Sequence, residues 1–210
     1  MSDSDSYIDS LGNTIWCTYG NWDEYAKQDE NETKLKICGV GHEEFKPNFI
    51  SEETAEQLES IIPKNASIID FGCGLGRNAP LLKKYFNKVY GYDIPSMIDK
   101  LKDSEDKTLL NMYDSLEDNI DNLLKNNMEF LFESVVFQHI VSEDYCSKIT
   151  EKIAKSKINT LFILYNSGLE SLPIAINMLI NKHNFHITYE TPDDESFPTI
   201  PHTFIILEKI

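Results

Sequence analysis

IIDFGCGLGRNAPLLKKYFNKVYGYD, residues 68–93, reads as strand, glycine turn, helix, strand and terminal acid. Ile68 and Ile69 open a short apolar run that ends at Phe71, and Gly72, Gly74 and Gly76 then alternate with Cys73, Leu75 and Arg77. Glycines this dense suit a sharp turn whose backbone stays open to a ligand. Leu81, Leu82, Tyr85 and Phe86 mark one side of a helix. Lys88–Tyr92 has strand character, and Asp93 stands at its end. A glycine turn at a helix N-terminus offers N–H groups and the positive end of a dipole. An acid about 20 positions further on, at the tip of the second strand, accepts the hydroxyls of a ribose. The unit therefore suits a nucleoside that carries something anionic. A tight turn with no ligand is the bland alternative.

Glycine spacing narrows the ligand. Dinucleotide folds want G-x-G-x-x-G/A, but here the third glycine comes one place early and Arg77 holds the position where Gly or Ala is expected. That disfavours a nicotinamide-dependent oxidoreductase. The segment Asp70-Phe71-Gly72-Cys73-Gly74-Leu75-Gly76-Arg77 resembles motif I of the class I S-adenosylmethionine-dependent methyltransferases, commonly D-x-G-C-G-x-G. The resemblance implies S-adenosylmethionine as cofactor. It also implies an α/β, Rossmann-like fold: a seven-stranded, mostly parallel sheet with helices on both faces and an antiparallel last strand.

The rest of the chain is consistent with that order. Residues 1–50 read as an N-terminal extension and 51–210 as the cofactor-binding domain. Met1 to Gly12 is polar and expected to be loose, whereas Trp16, Tyr19, Trp22 and Tyr25 crowd one stretch. Such a stretch either anchors the extension by apolar contact or covers the site as a lid. Gly39–Asn48 reads as a loop. Ser51 starts a helix that Pro63 ends. After residue 93, Pro95 begins a helix with Met97, Ile98 and Leu101 on one side, Thr108–Tyr113 is expected as a third strand, and Asp114 or Ser115 as the cap of a helix to Leu124. Met128–Phe137 suits a strand buried on both faces, Ser142 caps a helix carrying Tyr145, Ile149 and Ile153, and Thr160–Tyr165 is a fifth strand. A helix over Leu172–Lys182 and strands over His183–Glu190 and His202–Leu207 finish the chain, with TPDDESFPTIP between the last two.

Composition excludes several classes. No apolar run approaches the ~20 residues that span a bilayer, and MSDSDSYIDS lacks the apolar core of a signal peptide, so cytoplasmic residence is expected. Cys17, Cys38, Cys73 and Cys146 form no C-x-x-C pair, and no metal site is expected. The net charge is 19 − 35 = −16, with 14 acidic against four basic side chains in the first 60 residues. That disfavours a nucleic-acid partner, which a basic patch would mark. Enzymes that methylate base amines commonly carry [DN]-P-P-[YF] after the fourth strand, where this chain has Glu133-Ser134-Val135-Val136.

By the resemblance, Asp70 holds the methionine end of the cofactor and Gly72, Cys73, Gly74 and Gly76 form the turn beneath it. Asp93 takes the ribose, Ile94 lies on the adenine and Asp114 meets its amino group. Glu133, Ser134 and Val135, which close the fourth strand, line the methionine side. Arg77, one of few cations near the turn, either reaches the cofactor carboxylate or pairs with a surface acid. His139, in FESVVFQHI, is the candidate catalytic residue, for acceptor contact or proton removal. Tyr19, Tyr25, Tyr165 and His202 are candidates for the acceptor cleft. The implied activity is methyl transfer to O or N of a small molecule. A protein or RNA methyltransferase and a non-catalytic S-adenosylmethionine-binding protein are the alternatives.

Overall fold

The computed structural model describes residues 4–8, 14–18, 22–38, 52–105, 107–166, 168, 171–191 and 202–210. The chain begins with a two-stranded antiparallel hairpin, β1 (Ser4–Ile8) and β2 (Thr14–Thr18), so residues 4–8 are paired rather than loose. Two helices follow, α1 (Trp22–Lys27) and α2 (Glu30–Cys38). Tyr19, the Gly39–Asn48 segment and most of the connection before the last strand lie outside the described residues.

From α3 (Glu52–Ile61) onward the chain alternates strand and helix: β3 (Ser67–Phe71), α4 (Ala79–Tyr85), β4 (Lys88–Tyr92), α5 (Pro95–Asp103), β5 (Ser115–Glu117), α6 (Ile120–Leu124), β6 (Phe130–Ser134), α7 (Glu143–Lys155), β7 (Thr160–Asn166), α8 (Ile174–His183), β8 (Phe185–Glu190) and β9 (His202–Lys209). Seven strands form one sheet in the order β5-β4-β3-β6-β7-β9-β8. β3 to β7 pair in parallel, and β9 runs antiparallel to both its neighbours. The chain lays strands outward from β3 in one direction, then returns to lay β6 on its other side. Ligands bind at such a switch point, outside the carboxyl ends of the strands.

Successive strand residues point to opposite faces, and the two cores separate accordingly. Ile69, Phe71, Leu131, Leu161, Ile163, Ile205 and Leu207 face α6, α7 and α8. Ile68, Phe130, Phe132, Phe162, Leu164, Phe204 and Ile206 face α3 and α4. On that second face Phe130 and Phe162 stack at 6.0 Å between ring centroids, and Phe162 and Phe204 at 6.4 Å. This is why Met128–Phe137, though broken by Glu133 and Ser134, and Thr160–Tyr165 read as apolar runs. Asn184, left-handed at φ 57°, ends α8 and turns the chain into β8.

One element differs from its sequence reading. Thr108–Tyr113 is not a strand but a turn and a single 3-10 turn over Leu110–Met112, and β5 begins only at Ser115. Leu109 and Tyr113 pack beneath the glycine turn instead, in the space that a Cβ on Gly76 would need. Accordingly α6 starts later than expected and is capped by Asn119, whose side chain accepts from Asp121 N at 3.0 Å. Ser142 caps α7 as its sequence indicates, accepting from Tyr145 N at 3.2 Å.

Candidate active site

The tips of β3 and β4 are joined directly. Gly74 N donates to Asp93 Oδ2 at 2.6 Å and Ile94 N to Asp93 Oδ1 at 2.7 Å. Gly72 N and Cys73 N both donate to Tyr92 O, and Gly76 N to Cys73 O. The N–H groups of residues 72, 73, 74 and 76 are thus already bonded within the protein, so they do not form the anion cradle that the glycine pattern suggests. What the turn supplies is shape. Gly72, Gly74 and Gly76 all have positive φ (74°, 53° and 83°), a region that glycine enters without steric cost.

A cleft opens between these tips and the end of β6. Gly72, Cys73 and Gly74 form its base, with Arg77 and Asn78 where the chain enters α4. Asp93, Ile94 and Met97 line one side, and Ser134, Val135, Val136, His139 and Ile140 the other. Trp22 of α1 also lines it, its ring 5.8 Å from that of His139 and 5.5 Å from that of Tyr25. Tyr25 and Ala26 pack with Trp22 on Ile94 and Met97, so Tyr25 supports Trp22 rather than lining the cleft. Asp23 accepts from Ser96 Oγ at 2.5 Å, the Lys100 amine reaches Gln28 O, and Ser104 Oγ donates to Glu30 at 2.9 Å. These three bonds strap α1 and α2 along α5.

Burial tunes the carboxyls here. It pushes Asp93 up to about 6, against two backbone N–H donors that stabilise the charged form. It pushes Asp70 up to about 7, opposed by the hydrogen bond from Tyr113. The Cys73 thiol is driven well above its usual value by burial and by its acidic neighbours Asp93 and Asp70. Cys73 is therefore a small apolar filler of the turn and not a nucleophile.

Most of the sequence-derived site residues meet in this cleft: Gly72, Cys73, Gly74, Asp93, Ile94, Ser134, His139 and Arg77. Asp70, Gly76, Asp114 and Glu133 are not among its lining residues. Asp70 lies beneath the turn, 1% exposed, and accepts from Tyr113 Oη at 2.6 Å. Gly76 is covered by Tyr113 and Leu109. Asp114, expected to meet the adenine, stands away from the cleft lining: its carboxylate accepts from Lys83 Nζ at 2.8 Å and from Val89 N at 3.0 Å, near the start of β4. With β5 ending at Glu117, the residue that follows the strand is Asp118. Glu133 is wholly buried, and burial raises its carboxyl to about 8 despite two backbone donors. Tyr165 belongs to the core under α7 and α8, and His202 starts β9 opposite Asn166. Val135, expected on the methionine side, lies in the cleft, and the cleft residues that sequence reading did not select are Asn78, Met97, Val136 and Ile140. Trp22 stood out only as part of an aromatic stretch. Among the described residues no cluster of His, Cys, Asp or Glu is arranged to hold a metal ion.

Comparison with known proteins bears directly on this site. A family described as a methyltransferase domain matches residues 42–173. The chain belongs to that family. No curated protein is significantly similar to this methyltransferase in sequence. Among solved structures it resembles magnesium protoporphyrin IX methyltransferase from Synechocystis PCC 6803 with bound S-adenosylmethionine, at 12% identity and TM-score 0.57, over 91% of this chain and 98% of that one. A TehB-like S-adenosylmethionine-dependent methyltransferase from Corynebacterium glutamicum matches at 16% identity and TM-score 0.55, over 90% of this chain and all of that one (100%). An rRNA methylase from Streptococcus thermophilus matches at 14% and 0.53, over 77% and 98%. At these identities the likeness is one of fold, and folds do not fix acceptors; a porphyrin and an rRNA already differ.

The residues fit S-adenosylmethionine. A carboxylate offers about four lone-pair positions, and Asp93 has given two of them to Gly74 N and Ile94 N, which leaves two for a pair of ribose hydroxyls. Ile94 and Met97 supply apolar surface for a base. Arg77, half-buried at the cleft, would supply a positive charge for the cofactor carboxylate.

Proposed function

We propose that this methyltransferase transfers the methyl group of S-adenosylmethionine to an oxygen or nitrogen of a small molecule. The observation that carries the reading is that Trp22 lines the cleft from α1, its ring 5.8 Å from that of His139, and narrows it. The space left in this partly open cleft is about 100 Å³, below the roughly 300–1,000 Å³ of ordinary ligand clefts. Residues 22–38 therefore act as a lid that lifts to admit ligands and then settles on them, and a narrow covered site suits a small acceptor better than a folded RNA or protein. The charge of −16 points the same way, because phosphate-binding surfaces are basic. No helix among the described residues is long and apolar enough to cross a membrane.

The cofactor supplies an activated methyl on its sulfonium. Asp93 orients the nucleoside through the ribose, and Arg77 holds the far end. Trp22 and the Val135–Ile140 wall exclude water and keep the acceptor on the axis of displacement, an arrangement that can lower a barrier by about 7–11 kcal/mol. His139 faces the acceptor side and takes a proton from an O–H or N–H acceptor. The test is incubation of the protein with methyl-labelled S-adenosylmethionine and cell extract, followed by separation by size and class. Label in the low-molecular-weight fraction, reduced by His139→Ala, is the expected result. Label recovered in RNA or protein would replace the small-molecule reading.

A further inference from the structure

We propose that Glu133 is the positioning residue of the cleft wall that faces the glycine turn. The proposal rests on the methyltransferase reading of the cleft and assigns a task within it.

Glu133 sits in the middle of the sheet, opposite Phe71 of β3 on one side and Ile163 of β7 on the other. Its exposure is 0%. An apolar side chain there would extend the core without the cost of burying a carboxyl. The carboxyl has a specific use instead. Oε1 accepts from Val136 N and, at 2.7 Å, from Phe137 N. Oε2 has no hydrogen-bond partner among the described residues. The single bonded oxygen therefore caps the 3-10 turn Phe137–His139 from inside the preceding strand.

The turn's own bonds, His139 N to Val136 O at 3.0 Å and Ile140 N to Phe137 O at 3.2 Å, leave its entry from β6 unsupported. The chain leaves β6 at Ser134 and reverses through Val135 at φ 66°. A β-branched residue in the left-handed region is strained and persists only when its surroundings fix it. Three contacts do so: Val135 N donates to Leu164 O at 2.7 Å, Gln138 Oε1 accepts from Asn166 N at 2.8 Å, and Glu133 takes the two N–H groups between them. Val136 then presses its methyls into the space left by the missing Cβ of Gly72, and His139 comes to face Trp22. Without the Glu133 acceptor, two buried N–H groups lose their partner, and the wall loses its register against the turn.

The experiment compares Glu133→Gln and Glu133→Leu in the full chain, by calorimetric titration with S-adenosylhomocysteine and by amide hydrogen exchange. Gln keeps the accepting oxygen, so its Kd should stay within about threefold of wild type, whereas Leu should raise Kd tenfold or more. In the wild type without ligand, the Val136 and Phe137 amides should exchange at least 100-fold more slowly than unprotected ones. Leu binding as tightly as wild type, Gln failing as badly as Leu, or unprotected amides at 136 and 137 would each overturn the assignment. The exchange readout needs neither ligand nor a folded Leu variant. A wild type that is protected at these amides but does not bind S-adenosylhomocysteine would therefore sink the cofactor reading while leaving Glu133 in its role.

Discussion

Asp93→Ala should weaken S-adenosylhomocysteine binding on the order of 100-fold while the protein stays folded. On the proposed reading the variant removes the acceptor of two ribose hydroxyls. Hydrogen bonds to a charged group contribute about 1.5–3 kcal/mol each, so a loss of about 3 kcal/mol or more follows, and every 1.4 kcal/mol is about tenfold in Kd. The fold tolerates the change because two effects oppose. Gly74 N and Ile94 N lose an acceptor, but a carboxyl that burial disfavours in its charged form is removed.

The same residue sets a pH dependence. In the empty protein Asp93 titrates near pH 6, raised by burial. Ribose hydroxyls donate to the ionised carboxylate, so binding lowers that pKa and releases a proton below it. Affinity should therefore rise with pH from 5 and level off near pH 7, about one unit above that pKa, and Asp93→Asn should flatten the slope. Calorimetric titration across that range checks both. An alanine variant that binds within threefold of wild type would remove the ribose role.

Gly72→Ala should cost about 3 kcal/mol of stability and most of the cofactor affinity. Gly72 has φ 74°, which disfavours an L-residue by roughly 1–2 kcal/mol. The added Cβ would also lie 2.2 Å from Val136 Cγ2, 3.0 Å from Cγ1 and 3.1 Å from Cβ. Rotation of the valine cannot clear all three atoms, so turn or wall must move, and overpacking of this kind typically costs another 1–3 kcal/mol. For a chain of this size the melting temperature should fall by about 6–12 °C. Adding Val136→Ala should recover the steric part and leave the backbone part. A Gly72→Ala protein that melts with the wild type would show that turn and wall do not touch as described.

The parts of this site written in local sequence were legible there. A β-α-β unit carries its own punctuation, so Gly72, Gly74 and Asp93 fell into place from spacing alone. The sheet was legible because central strands buried on both faces leave runs such as Phe130–Phe132 and Leu161–Leu164 with no polar break. Asp114 was misplaced for a reason of packing. Leu109, Leu110, Met112 and Tyr113 have strand-like composition, but Leu109 and Tyr113 fill the hollow under Gly76 and Gly91 instead, which delays β5 to Ser115. Asp70 carries the expected residue type at the expected strand end, yet Tyr113 takes its carboxylate out of the cleft. Trp22 lay beyond reach because its place depends on how α1 docks on α5, a contact between segments some 70 residues apart. Glu133 was visible as an anomaly, an acid in an apolar run. What it holds became clear only once the left-handed Val135 and the two N–H groups beyond it were placed.

The central claim is that the tips of β3 and β4 share one nucleoside. Its most direct test is a crystal structure of the protein soaked to saturation with S-adenosylhomocysteine. Both ribose hydroxyls should lie within hydrogen-bond distance of the Asp93 carboxylate, the sulfur between the Gly72–Gly74 turn and the Val136–His139 wall, and Trp22 should be displaced from its place in the empty cleft. A nucleoside bound elsewhere, or a Trp22 that has not moved from its position in the empty cleft at saturating ligand, would contradict the account.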